Sequence, residues 1–203
     1  MSNDAAVKTR SGDEFEQRNN LAASQERSRV VLCVMPSGYN WPMAIPKHIA
    51  ALRSKIGHEL LILPGVCGLV FDAVGRILLN RRSDTGRWAV LGGVIEPGEQ
   101  PADAVVREVL EETGVLVVPE RITGVYSTPV MMLPNADQVQ YVVTTFRCRP
   151  VSGEPHVHDD ESLEVRYFDR HLLPELSPEH RLRIDHARSE GPAFFLPIGE
   201  QYR

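Results

Sequence analysis

The sequence predicts an α+β, or mixed α/β, sandwich. Apolar, strand-like runs outnumber helical segments, the helical segments fall before, between and after those runs, and turn residues separate them. In chain order, residues 1–28 are rich in charge, Asn and Ser with almost no apolar periodicity, a composition that buries too little to order itself. The RVVLCVM run after them has strand character, but PSGYNWP breaks it at once. Residues 1–42 are therefore expected to form a disordered N-terminal extension, 43–189 the folded domain and 190–203 a C-terminal tail. The domain opens with a helix over 44–57, where Ile49, Ala50, Leu52 and Ile56 keep near-helical spacing and Gly57 supplies a stop. Strands are expected in 60–72, 76–82 and 87–96, then in 115–133, 138–150 and 163–169. Segment 171–190 is helical in composition, with Pro174 and Pro178 confining its long part to the residues beyond them. No internal repeat is present.

Between the third and fourth of those strand regions lies the segment that carries chemistry. Pro101 suits a first helical turn, Asp103 the positive end of the helix dipole and Gly114 a left-handed stop. Ala102, Val105, Val106, Val109 and Leu110 follow helical spacing and are expected to form the buried stripe. At about 100° per residue, Glu108, Glu111 and Glu112 crowd one sector, where each like-charge pair costs roughly 0.2–0.5 kcal/mol. A helix built this way asks for a positive partner. Just upstream, Gly92, Gly93 and Gly98 surround Pro97 in a loop able to approach a ligand closely.

Gly93, five residues, Glu99, seven residues, then REVLEETGV from Arg107 to Val115 resembles the box of the Nudix (MutT-like) hydrolases at every specified position. Seven fixed identities arise by chance in roughly one window in a billion at average residue usage of roughly 5%, which decides against a merely solvated acidic face. The order of strands from about residue 44 to 189 resembles that family as well. The resemblance implies an α/β/α sandwich with a mixed sheet and a catalytic loop–helix–loop. It implies Mg2+ or Mn2+ held by Glu108, Glu111 and Glu112 with the carbonyl of Gly92, and a brace between Arg107 and Glu99. Hard cations of this kind take carboxylate and carbonyl oxygens. The implied reaction is hydrolysis of the diphosphate in a nucleoside diphosphate linked to another group. The general base is left among Glu108, Glu161 and Glu164. The family often reads Pro-Gly-Gly where this chain has Leu91-Gly92-Gly93.

Arg81, Arg82 and Arg87 flank the SDTG loop and suit phosphate recognition, with surface solubility an equal reading. Tyr141 and Trp88 could stack on a base, although aromatics in strand-like runs are more often core. His156, His158, Asp159 and Asp160 lack zinc-site spacing and read as a solvated loop. Pro129 falls slightly short of a position that marks many ADP-ribose enzymes of the family, which favours ADP-ribose-like sugars slightly over nucleoside triphosphates. A catalytically silent nucleotide-binding or sensing module is the second reading, and an acidic-helix interaction domain a remote third.

Composition bounds the rest. With 203 residues, 42% hydrophobic, 24% charged and a net charge of −5, the chain reads as a globular protein whose partner is a small nucleotide-type substrate, with no basic footprint for nucleic acid or an anionic membrane. Cys33, Cys67 and Cys148 form no CxxC spacing and read as reduced, buried thiols. No apolar run is long enough to span a bilayer and residues 1–28 lack the apolar centre of a secretory peptide, so a cytoplasmic setting is expected. The family resemblance also suggests a homodimer.

Overall fold

The computed structural model describes residues 46–197 and the backbone of Cys33–Val34. The disorder expected of residues 1–28, and the last residues of the expected C-terminal tail, lie outside the described residues. Strand β1 (Cys33–Val34) precedes helix α1 (Lys47–Ile56), followed by β2 (Leu61–Val70), β3 (Ile77–Arg82) and β4 (Trp88–Ala89). Helix α2 (Pro101–Thr113) leads to β5 (Leu116–Ser127), β6 (Met131–Met132), β7 (Gln138–Ser152), β8 (Ser162–Phe168) and helix α3 (Pro178–Arg188). The expected mixed α/β sandwich is what forms.

One sheet runs β1-β6-β7-β2, with β5 also paired to β7; the other runs β4-β3-β8. Parallel pairs β2–β7 and β1–β6 and antiparallel pairs such as β5–β7 make the first sheet mixed. Strand β2 is buried on both faces, as its unbroken GVCGLVF run requires. Val66 and Val70 pack with Ala104, Val105 and Val109 of α2, whereas Cys67, Leu69 and Phe71 pack with Ile184 and Ala187 of α3. Strand β3 alternates the same way, Leu78 towards α2 and Ile77 and Leu79 towards α3. Each fully buried valine or leucine contributes roughly 1.5–3 kcal/mol by leaving water, and α2 is held against the sheet by several of them. Cys67 and Cys148 are free thiols in this core, as expected.

The 87–96 segment departs from the expected strand. Only Trp88–Ala89 is regular, because Gly92 takes φ 146°, which breaks the extended run. The segment still joins the two sheets: Gly68 N donates to Leu91 O (2.9 Å), Val66 N to Gly93 O (2.9 Å) and Ile95 N to Pro64 O (3.2 Å). The glycine loop is therefore stitched along β2. Helix α1 also differs from its expected stripe, since Ile49 is buried while Ala50 and Leu52 are exposed. Arg53 anchors α1 instead, donating to Gln138 O (2.8 Å) and lying 3.2 Å from Asp137.

Both ends of the 43–189 segment are extended by contacts. Cys33 and Val34 pair with Met131 and Met132. Beyond α3, Phe194 N donates to Thr123 O and Val125 N to Phe194 O (both 2.9 Å), and the Phe194 ring stacks 3.9 Å from His186. A chain starting at Met43 loses β1 and is expected to melt a few degrees lower than one starting at Arg29, since about 1 kcal/mol corresponds to roughly 2–4 °C at this size. Equal midpoints in calorimetry would show that β1 contributes nothing to the sheet's stability.

Candidate active site

Helix α2 starts at Pro101 after Gln100, carries Asp103 in its first turn and ends where Gly114 adopts φ 70° and donates to Leu110 O (2.9 Å). Its buried side is rotated from the expected stripe. Ala104, Val105 and Val109 are buried together with Glu112 and Thr113, while Ala102 and Leu110 are exposed. The three glutamates consequently do not share one solvent face. Taking Glu108 as the origin, about 100° per residue puts Glu112 near the bearings of Val105 and Val109 and Glu111 on the other side. Glu112 is buried, Glu108 is half-buried and Glu111 is 57% exposed.

Neutral donors hold Glu112. Asn80 Nδ2 donates to its Oε1 (3.2 Å) and Gly92 N to its Oε2 (3.0 Å). Both bonds favour the carboxylate, yet burial and the neighbouring Glu108 charge push its pKa well above the ordinary value, against the pull of Arg82. Glu108 is pushed up to about 7 by burial, with Arg107 pulling it down and Glu111 and Glu161 adding to the rise. Its carboxylate lies directly on Gly93, where a β-carbon would fall inside it. At Gly92 a β-carbon would collide with Val66 O, so the close approach of the loop to β2 also demands glycine.

The expected brace is present and reaches further than the resemblance implies. Arg107 donates from Nε and Nη2 to the two oxygens of Glu99 (2.9 and 3.0 Å), from Nη2 to Val94 O (3.1 Å), and from Nη1 to Glu108 (2.9 Å) and Glu111 (3.0 Å). The Arg107 bonds hold the Glu99 carboxyl below its usual range. One guanidinium thus ties the loop to the helix and partly neutralises its exposed side.

Glu161 joins the cluster from the start of β8. Its backbone N donates to Asp159 Oδ1 (3.0 Å), its carbonyl accepts from Ser83 N (2.7 Å), and burial and the Asp159 charge raise its carboxyl pKa, with Glu111 adding to the rise. Glu164 does not join, lying between Arg81 (3.8 Å) and Arg166 (3.4 Å).

The three arginines and Tyr141 separate. Arg82 donates to both oxygens of Asp84 (3.0 and 2.7 Å), and its charge reaches Glu112 and Glu161. Arg81 points to the other face of β3, towards Glu164, because strand side chains alternate. Arg87 is exposed at the hairpin end. Neither Arg81 nor Arg87 is brought to the carboxylates. Tyr141 packs between two core clusters, and its hydroxyl feels Arg82 and Arg53 while burial raises its pKa. Trp88 meets Phe168 edge-on at 4.7 Å, with Arg166 over its ring at 5.2 Å. His156 closes the end of α2 by donating its backbone N–H to Thr113 O (3.1 Å).

Asn80 and Ser162 are the site residues that sequence reasoning missed. Asn80 is 1% exposed and also donates to Ser162 Oγ (3.2 Å). Its signal was an amide in a strand otherwise buried on that face, and a buried amide needs partners.

Comparison with known proteins fits this geometry. Residues 62–188 match the NUDIX domain. A MutT-like protein of Streptomyces ambofaciens is 41% identical over 143 residues, covering 66% of this chain and 87% of that protein. The ADP-ribose pyrophosphatase of Methanocaldococcus jannaschii is 32% identical over 139 residues, covering 66% and 79% respectively. The crystal structure of a UDP-X diphosphatase aligns with a TM-score of 0.52 at 25% identity, over 69% of this chain and 68% of that one. The chain belongs to the Nudix hydrolase family, enzymes that split phosphoric anhydride bonds, generally with divalent metal ions. No helix among the described residues is long and apolar enough to cross a membrane.

Proposed function

We propose that this chain is a Mg2+- or Mn2+-dependent pyrophosphohydrolase cleaving the diphosphate of a nucleoside diphosphate linked to a second group, ADP-ribose-like sugars being favoured over nucleoside triphosphates. The observation that carries it is the pair Glu108 and Glu112: two carboxylates withdrawn from water beside a glycine loop, their pKa values raised by burial. Such a pair wants a hard cation, and all its donors are oxygens. Glu108, Glu111, Glu112 and the Gly92 carbonyl would hold the metal. Among the described residues no three acidic, His or Cys side chains converge into a cage in this arrangement, and Arg107 spans Glu108 and Glu111. Metal binding by Glu111 thus exchanges an exposed ion pair, which costs about 0–1 kcal/mol. A divalent ion there would neutralise charge on the diphosphate oxygens and make an attacking water more acidic.

The chain's own residues supply the rest. Asn80 and Gly92 fix Glu112, Arg107 and Glu99 fix the loop, and Arg82 supplies positive charge beside Glu112 and Glu161 for phosphate oxygens. Glu161 is the proposed general base, because it stands at the edge of the cluster and burial, with the Asp159 charge, raises its carboxyl pKa and so its affinity for a proton. The ADP-ribose preference is supported by the Methanocaldococcus relative, and the UDP-X diphosphatase similarity supports a nucleoside diphosphate core.

A panel of ADP-ribose, other nucleoside diphosphate derivatives and nucleoside triphosphates, assayed with Mg2+ for monophosphate release, tests this. ADP-ribose should turn over fastest, and Glu161→Gln should lower that turnover about 10²-fold or more with metal affinity little changed. Nucleotide binding without turnover across the panel would instead identify a silent binding module. The chain is also proposed to act in the cytoplasm as a homodimer. Leu116, Val118, Ile122 and Val125 leave an exposed apolar row on β5, and a monomeric mass in light scattering at micromolar concentration would dispose of the dimer.

A further inference from the structure

At the opposite end of β3 from Glu161, the β2–β3 turn, the residues after β8 and the end of α3 line an open cleft of about 720 Å3. Its walls carry Arg76, Arg147, Arg170 and Arg188 against Asp169 and Glu190. That excess of positive charge stands out in a chain of net charge −5. Two of the four arginines are accounted for. Arg76 pairs with Asp72 at 2.7 Å, and Arg147 donates to Ala187 O (3.0 Å) and lies 3.3 Å from Glu120.

Arg188 is different. Its Nη2 is buried and has no hydrogen-bond partner. Burial and the charges of Arg170 and Arg147 lower its pKa, with Asp185 opposing. Leaving that buried donor nitrogen unpaired is costly, and an anion would relieve the repulsion that Arg170 and Arg147 exert on Arg188. The rings and forks are already in place: Arg147 and Arg188 stand over the Phe71 ring at 4.7 and 5.5 Å, contacts that orient both planes. At the rim Val74 and Leu172 are 77% and 71% exposed, offering apolar contact beside the charge. The volume lies within the small-molecule range of roughly 300–1,000 Å3.

We propose that this cleft is a second binding site, for a small molecule bearing a phosphate or diphosphate group, with its oxyanions on Arg188 and Arg170 and any organic part against Val74 and Leu172. Along β3, Arg76 at the cleft and Asn80, which holds Glu112, stand four residues apart at roughly 3.3 Å each. Occupancy would tie the end of α3 to the β2–β3 turn without touching the metal-binding glutamates.

The test is calorimetric titration of the full chain in EDTA with inorganic pyrophosphate and, separately, AMP. Saturable 1:1 binding of at least one probe is expected, weakened about tenfold or more by Arg170→Ala and by Arg188→Gln and unchanged in Glu108→Gln. Tighter pyrophosphate points to an inorganic ligand and tighter AMP to a nucleotide. Arg170 is exposed, so Arg170→Ala keeps the experiment valid even if Arg188→Gln fails to fold. No saturable binding of either probe, or binding that Arg170→Ala leaves intact, overturns the proposal. The outcome is independent of the hydrolase assay, which uses metal and a different site.

Discussion

With divalent metal chelated at pH 8, Glu108→Gln is expected to melt several degrees above the parent chain; with metal restored, it should hydrolyse about 10³-fold more slowly. The two effects share one cause. Burial lifts the Glu108 carboxyl from 4.5 to about 7 in the folded chain. Between those values the folded state keeps a proton that the unfolded state has released. Stability is therefore greatest below 4.5, falls as pH rises, and has lost its full share above 7. A shift of that size corresponds to about 3 kcal/mol at 1.36 kcal/mol per unit. Glutamine carries no charge to bury, and its amide oxygen can still accept the Arg107 bond. Near pH 4.5 the two proteins should melt together. A metal-free mutant melting below its parent at pH 8 would contradict the desolvated-carboxylate reading.

The second large effect is expected from Glu111→Gln. Because Glu111 is exposed and the ion pair it loses lies at the surface, the metal-free stability should change by no more than about 0.5 kcal/mol in either direction. The Mg2+ response should differ much more. A ligand confined to the folded state adds about 2.7 kcal/mol at a hundredfold excess over Kd, and the mutant should gain far less at the same concentration while losing most turnover. Equal Mg2+ shifts in both proteins, with activity intact, would remove Glu111 from the metal set.

The chain's periodicity makes much of this fold legible. β2, β3, β7, β8 and the two flanking helices stand within a few residues of where apolar runs and punctuation place them. The 87–96 strand misread has a plain origin, since composition alone does not reveal the backbone turn at Gly92. In the site, the Glu99–Arg107 brace follows from the motif, but the depth of each glutamate does not. Val106 and Leu110 suggest a stripe opposite the acidic face, whereas the sheet takes Ala104, Val105 and Val109 and draws Glu112 inwards with them. Asn80 and Ser162 are unreadable for a related reason: they stand 82 positions apart and meet only through β3–β8 pairing. Local spacing carries no information about such partners.

The parallel pairing of β2 with β7 bears on how the chain reaches this state. Leu61 faces Val139 and Val70 faces Cys148, so every rung joins residues 78 positions apart. Closing so long a loop loses chain entropy before any contact rewards it, and topologies dominated by such contacts fold slowly. Helix α2 and the glycine loop lie within that loop, and the glycine loop is fastened to β2. During refolding the helix can gain its local hydrogen bonds early, but the carboxylates acquire their geometry after the ends of the long loop have met. Recovery of activity should therefore trail recovery of helical signal, and a kinetic intermediate would be helical, acidic along α2 and catalytically inert.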